Sequence, residues 1–180
     1  MCKEQRETLK TSKSIANPGC YPTSIQLPLV PLFKKNLLKT DNITIDSKSG
    51  YSGAGKNLEK KFKHKNLFSS TFAYSTKNHR HICEIDQELY KYTKKKINFS
   101  FNPHLLPTFR GILTSLYIYT NKDKTGKHLR NCLLKFYKNS ILVLLNSHTF
   151  FLPIVKFVRA IDFQIATCLI ILYVKTVFFS

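Results

Sequence analysis

A cysteine directly after a Pro-Gly pair opens the chemistry of this chain, in the stretch Ile15-Ala16-Asn17-Pro18-Gly19-Cys20-Tyr21-Pro22-Thr23. Backbone freedom at Gly19 lets the chain bend sharply, and Pro22 suits a first helical turn because its missing N–H is no loss there. Cys20 is therefore expected at a helix N-terminus, where unpaired N–H groups and the helix dipole favour the thiolate, the nucleophilic form. A second cluster is His79-Arg80-His81, with Glu84 three residues further on. His81 and Glu84 at that spacing share one face of a helix. A carboxylate there orients the imidazole and raises its basicity, so His81 is the favoured proton carrier and His79 the alternative. A zinc site is the weaker reading, because His-x-His has no third ligand cluster beside it. Two anion-binding candidates complete the set. Ser49-Gly50-Tyr51-Ser52-Gly53-Ala54-Gly55 is a glycine- and serine-rich loop whose N–H groups can cradle an anion, although the Gly-Lys-Ser/Thr ending of a P-loop is absent. Arg110, before Gly111, offers a planar fork for carboxylate or phosphate.

Hydrophobic periodicity supplies the elements that position these groups. Apolar residues at Ile25, Leu29, Leu32, Phe33 and Leu37 predict an amphipathic helix over residues 22–39. Pro28 and Pro31 fall inside it at about 3 kcal/mol each, which predicts a kink or interruption. Residues 3–14 read as an exposed helix or linker, Ile15-Ala16 as a short strand, and Asp41-Asn42 as a turn before a strand at Ile43-Thr44-Ile45-Asp46. Residues 56–66 are basic and read as solvated. A helix is predicted from about His81 through Tyr92, strands at Ile97–Asn102 and Leu113–Thr120, a turn at Lys124–Lys127, and a helix over His128–Tyr137. The apolar run at residues 165–175 is shorter than the roughly 20 residues of a membrane span and is interrupted by Lys175. It reads as a buried strand or a degraded tail.

The 180 residues are 43% hydrophobic, enough for one domain with a core and too apolar for wholesale disorder. Five cysteines without a Cys-x-x-Cys pair fit a reducing cytoplasm, and the polar start argues against a signal peptide. The net charge of +19 is dispersed and mostly lysine. No finger, RNA-recognition or recognition-helix pattern accompanies it, so a basic nucleic-acid-binding module stays an alternative resting on charge alone.

Four segments, in order, resemble one family. Asn17-Pro18-Gly19-Cys20-Tyr21-Pro22-Thr23 is similar to the active-site segment of N-acetyl-gamma-glutamyl-phosphate reductases, in the aspartate-semialdehyde dehydrogenase superfamily. Ser49-Gly50-Tyr51-Ser52-Gly53-Ala54-Gly55 resembles the family's Ser-Gly-x-Ser-Gly-Ala-Gly loop. His79-Arg80-His81-Ile82-Cys83-Glu84 resembles its His-Arg-His-x-Pro-Glu motif, with Cys83 in place of Pro. Pro103-His104-Leu105-Leu106-Pro107-Thr108-Phe109-Arg110-Gly111-Ile112 resembles its Pro-His-x-x-Pro-x-x-Arg-Gly-Ile segment. Lys77-Asn78 stand where the family has Gly-Gly, putting a long charged side chain at a tight position.

The resemblance implies an α+β fold: a mixed, largely antiparallel sheet with helices on one face and an apolar opposite face forming a dimer interface. It covers the catalytic and dimerisation half, cut at both ends, with the Rossmann half missing. Residues 1–14 would be a linker or helix remnant, 15–145 the catalytic and dimerisation domain, and 146–180 a divergent or degraded apolar segment. The implied activity, in arginine biosynthesis, is NADPH-dependent reduction of N-acetyl-gamma-glutamyl phosphate to N-acetylglutamate 5-semialdehyde. Cys20 would form the thioester, His81 or His79 would manage protons, and Ser49, Gly50, Ser52, Gly53, Arg80, Glu84 and Arg110 would hold substrate. NADP would be the cofactor, a homo-oligomer and a separately encoded NADP-binding half the partners, and the cytoplasm the location, with no membrane or specific nucleic acid. An inactive remnant of that enzyme is the other alternative.

Overall fold

The computed structural model describes residues 6–54, 69–140, 143–145, 154–159 and 166–175. After a short helix α1 (Arg6–Thr11), the chain passes without regular structure through Ile15-Ala16, which pair with none of the described strands, and enters α2 (Cys20–Lys34). Apolar residues surround α2 rather than forming one stripe, which suits a helix buried on all sides. Its contacts agree: α2 packs against α3 (His81–Thr93), α4 (Gly126–Tyr137) and the sheet. Ile25, Leu29 and Leu32 of α2 are fully buried together with Ile85 and Leu89 of α3 and Leu129 and Leu133 of α4. Each such side chain contributes about 1.5–3 kcal/mol relative to exposure.

The expected interruption does not occur, and α2 runs unbroken through both prolines. Pro31 removes the donor that would reach the Leu27 carbonyl, and Tyr137 at the end of α4 replaces it, donating its hydroxyl to that oxygen at 2.6 Å. The Pro31 carbonyl, near the helix end, accepts from Cys132 Sγ at 3.6 Å. Partners on the neighbouring helix thus meet carbonyls that the prolines and the helix end leave open.

The described strands form one seven-stranded sheet in the order β2-β3-β1-β4-β7-β6-β5: β1 (Ile43–Gly50), β2 (Phe72–Ala73), β3 (Phe99–Leu106), β4 (Ile112–Tyr119), β5 (Val143–Leu145), β6 (Ile154–Arg159) and β7 (Ala166–Lys175). β1 lies parallel to β3 and β4 parallel to β7, while the other four pairings are antiparallel. The fold is α+β with a mixed, largely antiparallel sheet, as expected. Asn42, with φ of 57°, makes the turn into β1 in the left-handed region that asparagine tolerates. β1 extends four residues beyond the predicted Asp46, which places Ser49 and Gly50 in a strand rather than a loop. The chain then turns in a 3₁₀ helix, Tyr51–Ala54.

Alternation along β1 separates two faces. Ile43, Ile45, Ser47 and Ser49 are buried, and register sets Leu116 and Thr114 of β4 beside Ile45 and Ser47. On the opposite side Thr44, Asp46 and Lys48 are partly exposed beside Ser100, Asn102 and His104 of β3. Asp46 pairs with Lys48, and His104 Nδ1 stands 3.3 Å from its other oxygen. Along most of β1 and β3 this face is therefore polar, against the expectation of an apolar one, with Leu106 of β3 and Leu113 and Tyr117 of β4 as its apolar members.

Within the apolar run at 165–175, Ala166–Lys175 form strand β7, and no helix among the described residues is long and apolar enough to cross a membrane. Gly55, the basic stretch at 56–66 and Phe150–Pro153 lie outside the described residues.

Candidate active site

The N-termini of α2 and α3 meet at Gly19 and Cys20. Gly19 is the residue before α2, with φ of −62° and ψ of 165°, an extended conformation open to any residue. Its lack of a side chain serves space rather than bending: a Cβ there would stand 2.6 Å from His81 Nε2. Close packing of backbone against an imidazole thus sets the glycine, and the expected need for backbone freedom is corrected. The turn is tied further by Thr23, whose N–H and hydroxyl both donate to the Gly19 carbonyl, at 3.0 and 2.8 Å.

His81 begins α3 and is buried at 7% exposure, yet its Nδ1 has no hydrogen-bond partner among the described residues. Glu84 does not supply one. Its carboxylate accepts the Gly19 N–H instead, at 3.0 and 3.3 Å, so the expected Glu84–His81 pair is replaced by a Glu84–backbone contact. His79 accepts the His81 N–H through Nδ1 at 3.2 Å, which places the proton of a neutral His79 on Nε2. Its ring is packed among Tyr21, Tyr74, Phe101 and His81 at centroid separations of 4.8–5.6 Å.

Burial decides the charges. Desolvation, followed by the neighbouring His81 and Arg80, pushes His79 down to about 4. Desolvation and then Arg80 hold His81 below the ordinary histidine value. Cys20 opens to solvent on one side, yet the protein packed around its sulfur raises the thiol above its ordinary range. The N–H groups of Tyr21 and Cys20 and the Arg80 guanidinium pull the other way, and Glu84 adds to the rise. The expected thiolate is thus corrected: helix-end N–H groups act as foreseen, but desolvation outweighs them. At neutral pH the site holds a thiol and neutral imidazoles.

Tyr21 and Tyr74, absent from the sequence-derived set, join the site to the sheet. The Tyr21 hydroxyl bonds Ser49 Oγ at 2.8 Å, lies 3.2 Å from the His104 carbonyl and accepts from Tyr74 at 3.1 Å. Aromatic residues adjoining Cys20 and five before His79 were the available signal. Below them Ser24, Thr114 and Ser47 form a fully buried hydroxyl chain between α2 and the sheet, with links of 2.8 and 3.0 Å.

Gly50 and Arg110 meet beyond Ser49. A Cβ on Gly50 would stand 2.8 Å from Arg110 Cα and N, so glycine is required for the close approach of the two chains. The N–H groups of Gly50, Tyr51 and Ser52 donate to the carbonyls of Gly111, Thr108 and Phe109 at 2.9–3.0 Å. An anion cradle of those N–H groups is therefore not open. Ser52, Gly53 and the Arg110 side chain are exposed, with the guanidinium carbon 5.0 Å from the Phe109 ring. Ser49 is the bridge between this end and the Cys20 cluster. Lys77 and Asn78 are exposed on a bend, so the long lysine side chain occupies no tight position.

The model of the semialdehyde dehydrogenase dimerisation domain matches residues 20–167. The chain belongs to that family. Members similar to it include N-acetyl-gamma-glutamyl-phosphate reductases of Caldicellulosiruptor saccharolyticus, 38% identical over 91% of this chain and 47% of the relative, and of Acetivibrio thermocellus, 40% identical over 88% and 45%. A probable chloroplastic N-acetyl-gamma-glutamyl-phosphate reductase of Arabidopsis thaliana is 46% identical over 63% of this chain and 28% of its own length. The semialdehyde dehydrogenase domain here thus spans less than half the length of these curated relatives.

A dinucleotide is the cofactor this family implies. Its pyrophosphate needs a glycine-rich turn with free N–H groups at a helix start. Among the described residues the two glycine-bearing candidates do not fit: the Gly19 N–H is held by Glu84, and those of Gly50, Tyr51 and Ser52 are held by carbonyls. A metal finds no cluster of three His, Cys, Asp or Glu among the described residues either.

Proposed function

We propose that this chain supplies the acyl-transfer half of an N-acetyl-gamma-glutamyl-phosphate reductase, in arginine biosynthesis in the cytoplasm, with Cys20 as nucleophile and His81 as its base. The observation that carries the reading is the seating of the His81 imidazole against Gly19, with Nε2 toward the residue before Cys20. An imidazole held below its usual pKa is unprotonated at neutral pH and ready to take a proton from a thiol. His81, rather than His79, takes this role because His79 Nδ1 is engaged with the His81 N–H.

In the first step Sγ of Cys20 attacks the acyl carbon of the acyl phosphate while His81 Nε2 accepts the thiol proton. The carbon–sulfur bond forms, the carbon–oxygen bond to phosphorus breaks, and inorganic phosphate leaves with the electron pair. A thioester remains on Cys20. Arg80, exposed at the start of α3 and electrostatically coupled to Cys20, suits the anionic leaving group. Arg110 and Ser52, exposed at the far side of Ser49, suit the substrate's other anionic groups. The turns at Gly19 and Gly50 do not fit a pyrophosphate, and the reduction is assigned to a dinucleotide-binding half, with the semialdehyde dehydrogenase domain acting within a homo-oligomer. Supplying that half should restore NADPH oxidation dependent on the acyl phosphate. Cys20→Ser should abolish it. Absence of turnover in the reconstituted wild type would favour an inactive remnant.

A further inference from the structure

Glu84 sits in the first turn of α3, yet its carboxylate reaches 65 positions back in sequence to the Gly19 N–H, with both oxygens within 3.3 Å. Gly19 is gripped from a second side by the His81 ring, 2.6 Å from where a Cβ would be. The residue before the nucleophile is thus fixed by two side chains of one helix, one on its nitrogen and one against its Cα. A carboxylate spent on a backbone N–H has that much less capacity for substrate, and it does not touch His81 Nδ1, which has no hydrogen-bond partner among the described residues.

We infer that Glu84 is a positioning residue that clamps the Gly19 backbone and thereby sets the place of the Cys20 sulfur, its own charge facing that sulfur, rather than orienting His81 or binding substrate. The inference deepens the reading of Cys20 as nucleophile and rests on it. Among the described residues, the charged and titratable groups that face Cys20 or the rings next to it are Glu84 and His81 from α3, Arg80 just before that helix, Tyr21 from the helix of Cys20, and Tyr74 and His79 from the segment before α3. Of these Glu84 brings the negative charge and Arg80 the positive one, so removing Glu84 leaves a net pull toward thiolate.

Amide exchange at Gly19, followed by NMR, and site-resolved alkylation of Cys20 against pH test this on the full chain. Glu84→Ala should speed Gly19 exchange about tenfold, the loss of one charge-assisted hydrogen bond. Glu84→Gln keeps an oxygen for the N–H and should exchange nearly as the parent. Both variants should move the alkylation midpoint to lower pH. In the His81→Ala background Glu84→Ala should still speed Gly19 exchange, since the clamp does not pass through the imidazole. Unchanged exchange in Glu84→Ala, equal acceleration in Glu84→Gln, an unmoved midpoint, or loss of the effect in His81→Ala would each overturn the inference. These readouts need neither cofactor nor turnover. Failure of the nucleophile reading would instead appear as no acylation of parent Cys20 with the exchange results intact.

Discussion

A protonated thiol beside a neutral imidazole behaves differently with pH from a thiolate–imidazolium pair. The raised Cys20 pKa means that thiolate, the alkylating form, stays scarce at neutrality and grows about tenfold per pH unit until the thiol titrates. The rate of Cys20 alkylation should therefore be low at pH 7 and still be rising at about pH 9. A plateau below pH 7 would mean an activated thiolate. Gly19 gives a second residue-scale expectation. Gly19→Ala drives a methyl into the His81 ring and should cost about 1–3 kcal/mol in thermal or denaturant unfolding. His81→Ala should relieve most of that, so the double variant should be much less destabilised than the two single costs added together. That Cys20, His79, His81 and Glu84 would come together was legible in the sequence, because residue type and spacing point to one cluster. Their partners were not. The Glu84–Gly19 contact joins residues far apart in the chain, and the sign of the Cys20 shift turns on burial, which a linear pattern does not report.

Elements were legible where the period was plain and the caps ordinary. α3 starts at His81 as expected, and α4 begins at Gly126, two residues before the predicted His128, because Thr125 forms a capping box with His128. α2 was harder. Two interior prolines argued for a break, while the remedy, Tyr137, lies on another helix 110 positions away. Tyr137→Phe leaves the Leu27 carbonyl without that donor and should lower stability by about 1–3 kcal/mol. Pro31→Ala restores a backbone donor to the same carbonyl, so in that background Tyr137→Phe should cost markedly less, as read from denaturant midpoints. Equal costs in both backgrounds would show that the hydroxyl does not stand in for the missing N–H. The Ile15-Ala16 strand was misread because a two-residue apolar pair has no periodicity to anchor it, and β1 ran longer than its apolar alternation because Ser47 and Ser49 occupy inward positions.

At the scale of the molecule the fold class was readable through the family resemblance of four ordered segments, while the periods alone located the separate helices and strands. The seven-strand order was not, because it depends on which strand ends each connection reaches. The polar character of the outer face along β1 and β3 was missed for a related reason. Only the register of β1 against β3 brings Asp46, Lys48, Asn102 and His104 to one surface. What the fold accomplishes is local to one end of that sheet. α2, α3 and β1 converge so that Gly19 and Cys20 stand under His81, over Tyr21 and Ser49.

The central claim is that this arrangement makes Cys20 an acyl acceptor. Its most direct test is to mix the chain with N-acetyl-gamma-glutamyl phosphate, without dinucleotide, and to follow inorganic phosphate release together with peptide mass spectrometry of Cys20. A release stoichiometric with the chain, an acyl adduct on Cys20 alone, and loss of both in Cys20→Ser with strong slowing in His81→Ala are the results expected. Phosphate release that persists in Cys20→Ser, or a parent chain that stays unmodified, would contradict it.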